Sequence, residues 1–376
     1  MQEQTEYIVM GGGVAGLTLA TLLAQAGRTV RVIEKGNYPS HKVCGEYVSN
    51  EVLPFLEQTG LLTDRNILPK ITQFTLSDID GNSAHLELDL GGFGISRYLF
   101  DYELMSRARE SGAIICMNER AESITFSNNA FRVETNQNSY SAPWLVGAFG
   151  KRSVIDRYLN RPFMQKRSPY LGVKYHVFNA AIPKNTVALH NFRGGYCGVN
   201  AVENDHVNIC YLAHRDLLKQ TGSIDGLEKQ ILFKNPRIHE IFEQSEFLWE
   251  KPEVINEISF ETKSPVEGNI FMCGDAAGMI TPLCGNGIAM AIHSAKILAN
   301  VLLSTASDTL NKRAELEKRY TSEWKRTFET RLNTGRHIQQ LFGKGRLSGL
   351  TVQLGKTLPA VGHWLMKQTH GEPFGQ

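Results

Sequence analysis

No pair of cysteines in this chain has the Cys-x-x-Cys spacing that dithiol and zinc sites use; Cys44, Cys116, Cys197, Cys210, Cys273 and Cys284 are scattered. That excludes a disulfide scaffold and points to a reducing, cytoplasmic setting. No His-x-x-x-His pairing replaces the missing thiol pairs, so no metal site is expected. The start, Met1-Gln2-Glu3-Gln4, lacks the basic opening of a signal peptide. Long apolar runs are scarce too. The most apolar stretch, Gly287 to Leu303, carries His293, Ser294 and Lys296 and is too short and too polar to cross a bilayer comfortably. Charge of one sign is not in excess: 40 Lys and Arg stand against 38 Asp and Glu, and nothing in the balance calls for nucleic acid. Internal repeats and long linkers are absent as well.

What is present is a chain of 376 residues, 42% hydrophobic, long enough for a large domain and a smaller one. Tyr7 to Met10 is a short apolar run, followed by Gly11, Gly12, Gly13 and Gly16. Leu17, Ala20, Leu23 and Ala24 then recur at helical spacing, and Thr29 to Ile33 is a second β-branched run. That is strand, tight turn, helix, strand. From Ile71 to Leu90 the pattern alternates around Asp80-Gly81, which suits a two-residue hairpin turn. Arg97 to Gly112 reads as helix, Ala113 to Met117 as strand, Thr125 to Tyr140 as a small meander and Trp144 to Ala148 as a buried strand. Four further strands are expected at Leu171 to Phe178, Thr186 to Phe192, Tyr196 to Val202 and Val207 to Ala213. Leu217 to Gln244 is mostly helical, Asn269 to Cys273 is a last buried strand, and amphipathic helices run from Asn311 to about Trp364.

The sharpest local signal is Gly11-x-Gly13-x-x-Gly16 with Glu34 at the tip of the second strand. Gly11 permits the tight turn, Gly13 removes a side chain that would block a pyrophosphate, and Gly16 lets helix and strand pack closely. The helix N-terminus then offers unpaired N–H groups and partial positive charge to the phosphates. Glu34 is placed to accept from an adenosine ribose. This motif alone does not separate FAD from NAD. The discrimination comes from Gly274-Asp275-Ala276-Ala277-Gly278 and Pro282-Leu283-Cys284-Gly285-Asn286-Gly287-Ile288. An acid at a strand end could bind a ribityl hydroxyl, and a second glycine-rich helix start could offer N–H groups to a flavin's pyrimidine edge. A nicotinamide dehydrogenase has no need of that second site.

With those segments in place, the sequence resembles the FAD-dependent oxidoreductases of the para-hydroxybenzoate hydroxylase fold, geranylgeranyl reductase branch. The resemblance runs through Gly11 to Glu34, Tyr38 to Glu46, Arg97, Val146 to Gly150, and Gly274 to Ile288. It implies an α/β fold in which a Rossmann-type FAD-binding domain carries an inserted antiparallel or mixed-sheet substrate domain and a helical C-terminal region. The implied boundaries are 1–70, 97–158 and 265–310 for FAD, 71–96 and 159–264 for substrate, and 311–376 for the helical cap. By the same likeness Arg97 lies along the cofactor, Asp275 binds the ribityl chain, and Gly285 to Ile288 present N–H groups near the flavin C2 carbonyl, stabilising charge on the reduced ring. The expected cofactor set is Gly11, Gly13, Val14, Ala15, Gly16, Glu34, Lys35, Lys42, Arg97, Gly274, Asp275, Gly285, Gly287 and Ile288.

Gly278, where many ring hydroxylases carry His, and Lys42-x-Cys44-Gly45-Glu46 are similar to the reductase branch. Phe149-Gly150 departs from the Asp-Gly of the hydroxylases, whose acid helps position cofactor and NAD(P)H. Gly195-Tyr196-Cys197-Gly198 keeps the start of the reductases' Gly-Tyr-x-Trp and lacks its Trp. Trp144, Trp249, Trp324 and Trp364 all lie outside the Trp-x-Trp-x-Ile-Pro motif of flavin halogenases, which disfavours halogenation.

Among single residues, Cys44 is the catalytic candidate, a proton donor or pocket wall beside the flavin, with a buried inert thiol as the equal alternative. Cys284 is expected to pack. Glu46 reads as an exposed carboxylate suited to an ion pair or to accepting a substrate proton. Tyr196, Tyr211 and His190 are the expected pocket residues, and His176 and His214 lie on or beside the same strands. The tail from Asn311 holds twelve Lys and Arg against five Asp and Glu, interleaved with Leu316, Trp324, Phe328 and Leu332. That pattern suits peripheral contact with an anionic membrane or, slightly preferred, a solvated face on a helix packed against the FAD domain. Two reactions compete: NAD(P)H-fed monooxygenation of an aromatic or polyketide-like hydrophobic molecule, placed first, and reduction of carbon–carbon double bonds in a prenyl or lipid substrate. A non-catalytic FAD-binding redox module stands third.

Overall fold

The computed structural model describes residues 5–62, 64–166, 168–304, 312–339, 345–357 and 367–375. Two sheets dominate. The first has six strands in the spatial order Val266–Glu267, Ile270–Met272, Trp144–Gly147, Tyr7–Met10, Val30–Ile33 and Ile114–Cys116. All pairings but that of the short edge strand Val266–Glu267 are parallel. Every residue of the four strands between the edges is buried. This is why they read as continuous apolar runs: helices cover a parallel sheet on both faces. The first helix, Val14–Gln25, packs against Gly287–Leu303 and Arg97–Glu110, so segments from both halves of the chain share one core. The expected meander is present as Ala121–Ser127, Ala130–Thr135 and Ser139–Ala142.

The second sheet has nine strands and draws together two stretches far apart in sequence. Lys70–Ser77 pairs in parallel with Thr186–Phe192, joining the hairpin Lys70–Ser77/Ser83–Gly94 to the antiparallel run Tyr170–Phe178, Thr186–Phe192, Gly195–Ala201 and Val207–His214. Two details differ from expectation. The hairpin loop spans five residues, 78–82, because the Asp78 carboxylate accepts from the N–H groups of Asp80 and Asn82 and holds a wider turn around Gly81. A further strand, Glu253–Ile258, pairs with Tyr170–Phe178; it is largely exposed, and its apolar residues Val254, Ile255 and Ile258 do not alternate with polar ones.

Strand alternation gives this sheet two faces. Val173, Tyr175, Phe192, Cys197 and Tyr211 pack beneath a helical layer formed with Ile224–Gln230 and Pro236–Gln244. Leu76, Leu189, Tyr196, Leu212 and Ile258 occupy the opposite face with Met279. The long helix Arg313–Gln339 buries Leu316, Tyr320, Trp324, Phe328 and Leu332 in the core of the first domain, so its apolar stripe faces protein. Trp364, the expected end of the terminal helices, lies outside the described residues. Among the described residues no helix is long and apolar enough to cross a membrane.

Candidate active site

Between the sheets lies a cavity of about 440 Å³. On one side its wall holds Gly13, Val14 and Ala15 from the first turn and Gly274, Asp275, Gly285, Gly287 and Ile288 from the second. On the other are Leu76, Leu86, Val187, Leu189 and Leu212. Two glycine-rich turns from opposite ends of the chain therefore open onto one space.

The glycines divide by what holds them. A Cβ on Gly11, whose φ is +106°, would sit 2.5 Å from the Ala148 carbonyl oxygen, and one on Gly16 would sit 2.1 Å from the Gly11 oxygen. The protein itself demands glycine at both. A Cβ on Gly13 would find Arg97 Nη2 as its nearest neighbour, at 3.6 Å, and one on Gly287 would have nothing within 4 Å. Nothing among the described residues requires those two to lack side chains; a group lying against their backbone would. Gly13 is also the N-cap of the first helix and makes no side-chain cap, which leaves first-turn N–H groups facing the cavity for an anion.

Around the first turn, Glu34 is buried and accepts from Gly12 N–H (2.7 Å) and Gly36 N–H (2.9 Å). The carboxylate thus shapes the loop and keeps further lone pairs for other donors, although Glu34 does not itself line the cavity. The Tyr38 hydroxyl donates to the Gly12 carbonyl, a bracing contact that sequence reasoning missed. Arg97 forks onto Asp101 through Nε (2.6 Å) and Nη2 (2.7 Å), and Lys42 donates to the same carboxylate (2.7 Å). Lys42 is therefore held at one remove from the cavity. Burial alone would push the Asp101 carboxyl up; Arg97 and then Lys42 outweigh it and hold it below the usual range. Lys35 is exposed and does not line the cavity.

The second turn is anchored from outside by two buried cations. Arg161 pairs with Asp156 (3.0 Å) and Glu267 (2.8 Å) and donates to the carbonyls of Ala276 (2.8 Å) and Ser264 (2.9 Å). Lys263 donates to the carbonyls of Asp275 and Lys151, each at 2.8 Å, tying the second turn to the loop that follows Gly150. Burial lowers the Lys263 ammonium to about 8, against the opposing pull of Asp275 and Asp156. No sequence pattern marks either residue. Phe149, in the position of the hydroxylases' acid, packs against the first core beside Gly147 and Met272. Gly278 lies against the Trp324 indole: a Cβ there would be 2.8 Å from Cη2, so the indole fills the space a histidine would need.

Cys44 and Glu46 both line the cavity. Cys44 is half-buried, and Asn208 clamps its loop by donating to the Cys44 (3.2 Å) and Gly45 (2.9 Å) carbonyls. Glu46, expected at the surface, is fully buried. Its partners lie far away in sequence: Lys174 Nζ (2.5 Å), His176 Nε2 (2.6 Å) and Arg97 N–H (2.7 Å). The ion-pair reading holds, while the exposure does not, because Lys174 and His176 fall on the cavity face of their strand. Burial would raise the Glu46 carboxyl, yet Lys174 and His176 together hold it below its ordinary range.

Of the expected pocket residues, Tyr196 packs on the cavity face. Tyr211 borders the cavity but commits its hydroxyl to Glu228 (2.7 Å) in the opposite core. His190 does not line the cavity: alternation puts it on the helix-covered face with Ala188 and Phe192, bonded to Ser77 (2.8 Å), where burial lowers its pKa to about 4. His214 instead accepts from the Asp216 N–H (3.4 Å) as the cap of the helix Arg215–Thr221. Cys284 is buried beside Thr281, and burial raises its thiol to about 11.

A dinucleotide-type parallel sheet thus opens onto an apolar cavity beneath a second sheet. The chain belongs to the FAD binding domain family, whose match covers residues 4–329. It is similar to a digeranylgeranylglycerophospholipid reductase of Methanoculleus marisnigri, 24% identical over 86% of this chain and 83% of the relative. A FAD-dependent monooxygenase of Penicillium janthinellum is also 24% identical, over 83% and 71%. Among solved structures, a geranylgeranyl bacteriochlorophyll reductase-like protein from Thermoplasma acidophilum superposes with a TM-score of 0.79 at 17% identity, covering all of this chain and 97% of its own. The enzyme is thus an FAD-dependent oxidoreductase, which sets aside the non-catalytic module.

Proposed function

We propose that this oxidoreductase reduces carbon–carbon double bonds in a hydrophobic molecule with a long aliphatic or prenyl-type portion, drawing electrons from a reduced nicotinamide. The carrying observation is the substrate-side wall. Leu76, Leu86, Leu88, Val187, Leu189 and Leu212 offer branched aliphatic surface and few directional groups. Such a wall suits a flexible apolar chain, whose binding rests on area removed from water.

Bound FAD supplies a ring that accepts a hydride equivalent from the donor and delivers one to the substrate. The chain's own residues position and enclose it. Gly13 and the first helix turn would take the diphosphate, Glu34 the adenosine ribose and Asp275 the ribityl chain. Arg97 would lie alongside, and Gly285 to Ile288 would direct N–H groups at the pyrimidine edge. The aliphatic wall excludes water from the reacting carbons. Cys44 borders that space and is our candidate proton donor to the substrate.

A second reading, monooxygenation of an aromatic or polyketide-like molecule, draws support from the room at Gly198. Among the described residues a Cβ there would meet only the Cys210 carbonyl oxygen, at 3.5 Å, which leaves room for a ring at the place of the reductases' Trp. Anaerobic incubation of dithionite-reduced enzyme with geranylgeraniol separates the two. A product two hydrogens heavier supports reduction; turnover that needs oxygen and adds an oxygen atom to an aromatic probe supports the alternative. Gly198→Trp is expected to leave FAD content unchanged and to weaken substrate binding by about fivefold to a hundredfold, through overpacking worth ~1–3 kcal/mol. Titration of the holoenzyme with the turnover substrate measures it, and an unchanged affinity would put the substrate elsewhere.

A further inference from the structure

Glu46 concentrates two unfavourable features at the cavity wall. Its carboxylate is fully buried, and its backbone is left-handed, with φ +54°, in a residue that is not glycine. Its partner Lys174 is fully buried mid-strand, on the face that carries Gly172 and looks toward the Cys44 loop. A buried ion pair is a poor source of stability, since apolar residues of the same size do as well. A strained, charged residue beside a cofactor cradle is better explained by what its charge does there.

We propose that the Glu46–Lys174 pair tunes the reduction potential of the flavin: Lys174 stabilises the electron-rich reduced ring and Glu46 limits that effect. The proposal rests on the FAD placement above. Glu46 shares the cavity wall with Cys44, Arg97 and Gly13. In so enclosed a setting charges act at longer range than in water. Two-electron reduction of FAD by dithionite or a reduced nicotinamide adds two electrons and one proton, leaving the ring with one negative charge. A nearby cation favours that state and a nearby anion opposes it. Other groups surround the pair. His176 bonds the second Glu46 oxygen, Arg97 donates its N–H to the first, and Lys42 donates to Asp101 behind Arg97. His41 packs edge-on to His176 at 5.3 Å, and His206 lies 6.2 Å from it. Neither single substitution changes any of those residues.

The test is the midpoint potential of bound FAD, measured at fixed pH in the holoenzyme against a reference dye. Glu46→Gln keeps the shape and removes the negative charge; the potential is expected to rise. Lys174→Met keeps the length and removes the positive charge; the potential is expected to fall. The double variant is expected near the wild type. Opposite shifts are something a merely structural role does not produce. Should Lys174→Met not fold, Lys42→Met, at a half-exposed position, removes the next cation in the network and is expected to lower the potential by a smaller amount. Flavin-loaded variants whose potentials all match the wild type, or all move in one direction, overturn the tuning while leaving the FAD site intact. A wild-type protein that takes up no FAD overturns the placement itself.

Discussion

Gly13→Val protein is expected to purify folded and colourless. The substituted side chain would project into space that the polypeptide leaves open, with only Arg97 Nη2 at 3.6 Å from its first carbon, so packing barely changes. It would occupy the place assigned to the diphosphate. A loss of FAD affinity on the order of a hundredfold, ~2.7 kcal/mol, is expected. Gly16→Val is the control with the opposite signature. Its Cβ would meet the Gly11 oxygen at 2.1 Å and Val9 Cγ1 at 3.2 Å, forcing helix and strand apart, so stability falls first and flavin loss follows. Thermal melting alongside flavin absorbance distinguishes them. A yellow Gly13→Val protein would mean that the diphosphate lies elsewhere.

Arg161→Met is expected to be the most destabilising of these changes. The guanidinium is 1% exposed and serves two carboxylates and two carbonyls from three different segments. Removing it strands Asp156, itself fully buried, without its charge partner. Breaking a buried pair in this way costs about 3–5 kcal/mol. Arg161→Lys should rescue only part, because a single ammonium cannot reach all four acceptors with the geometry of a planar fork. Urea unfolding of the apoprotein reads the loss. A change below about 1 kcal/mol would show that the second cradle turn is held by its neighbours alone.

These two predictions also mark where sequence reading succeeds and where it stops. The Gly11 to Glu34 unit and the Gly274 to Ile288 segment were legible because each is local: glycines, periodicity and a terminal acid fall within one βαβ unit or one strand–turn–helix. The four substrate-sheet strands were legible for the same reason, and their observed bounds, Tyr170–Phe178, Thr186–Phe192, Gly195–Ala201 and Val207–His214, differ little from those expected. Pairing and face were not legible. His190 and Tyr211 belong to strands read correctly, yet which side each presents depends on registers such as His190 opposite Ser77 and Tyr211 opposite Val173. Glu46 looked exposed because its neutralising partners sit 128 and 130 residues away. Lys263 binds main-chain carbonyls, which leave no mark in side-chain patterns, and Arg161 adds two carbonyls to carboxylate partners of which Glu267 lies over a hundred residues away in sequence.

The apolar residues of the basic tail show the same division. Their helical spacing was visible, but a stripe of Leu316, Trp324, Phe328 and Leu332 suits a bilayer surface as well as a protein core. Only tertiary structure shows that Trp324 lies against Gly278 and the stripe is buried.

The most direct measurement is the identity and amount of flavin released by heating the purified wild-type protein, after saturation with FAD and gel filtration. One FAD per chain, with an absorption spectrum shifted from that of free FAD by enclosure of the ring, is the expected result. A folded protein that emerges without flavin would contradict the convergence of the two glycine turns on a single coenzyme.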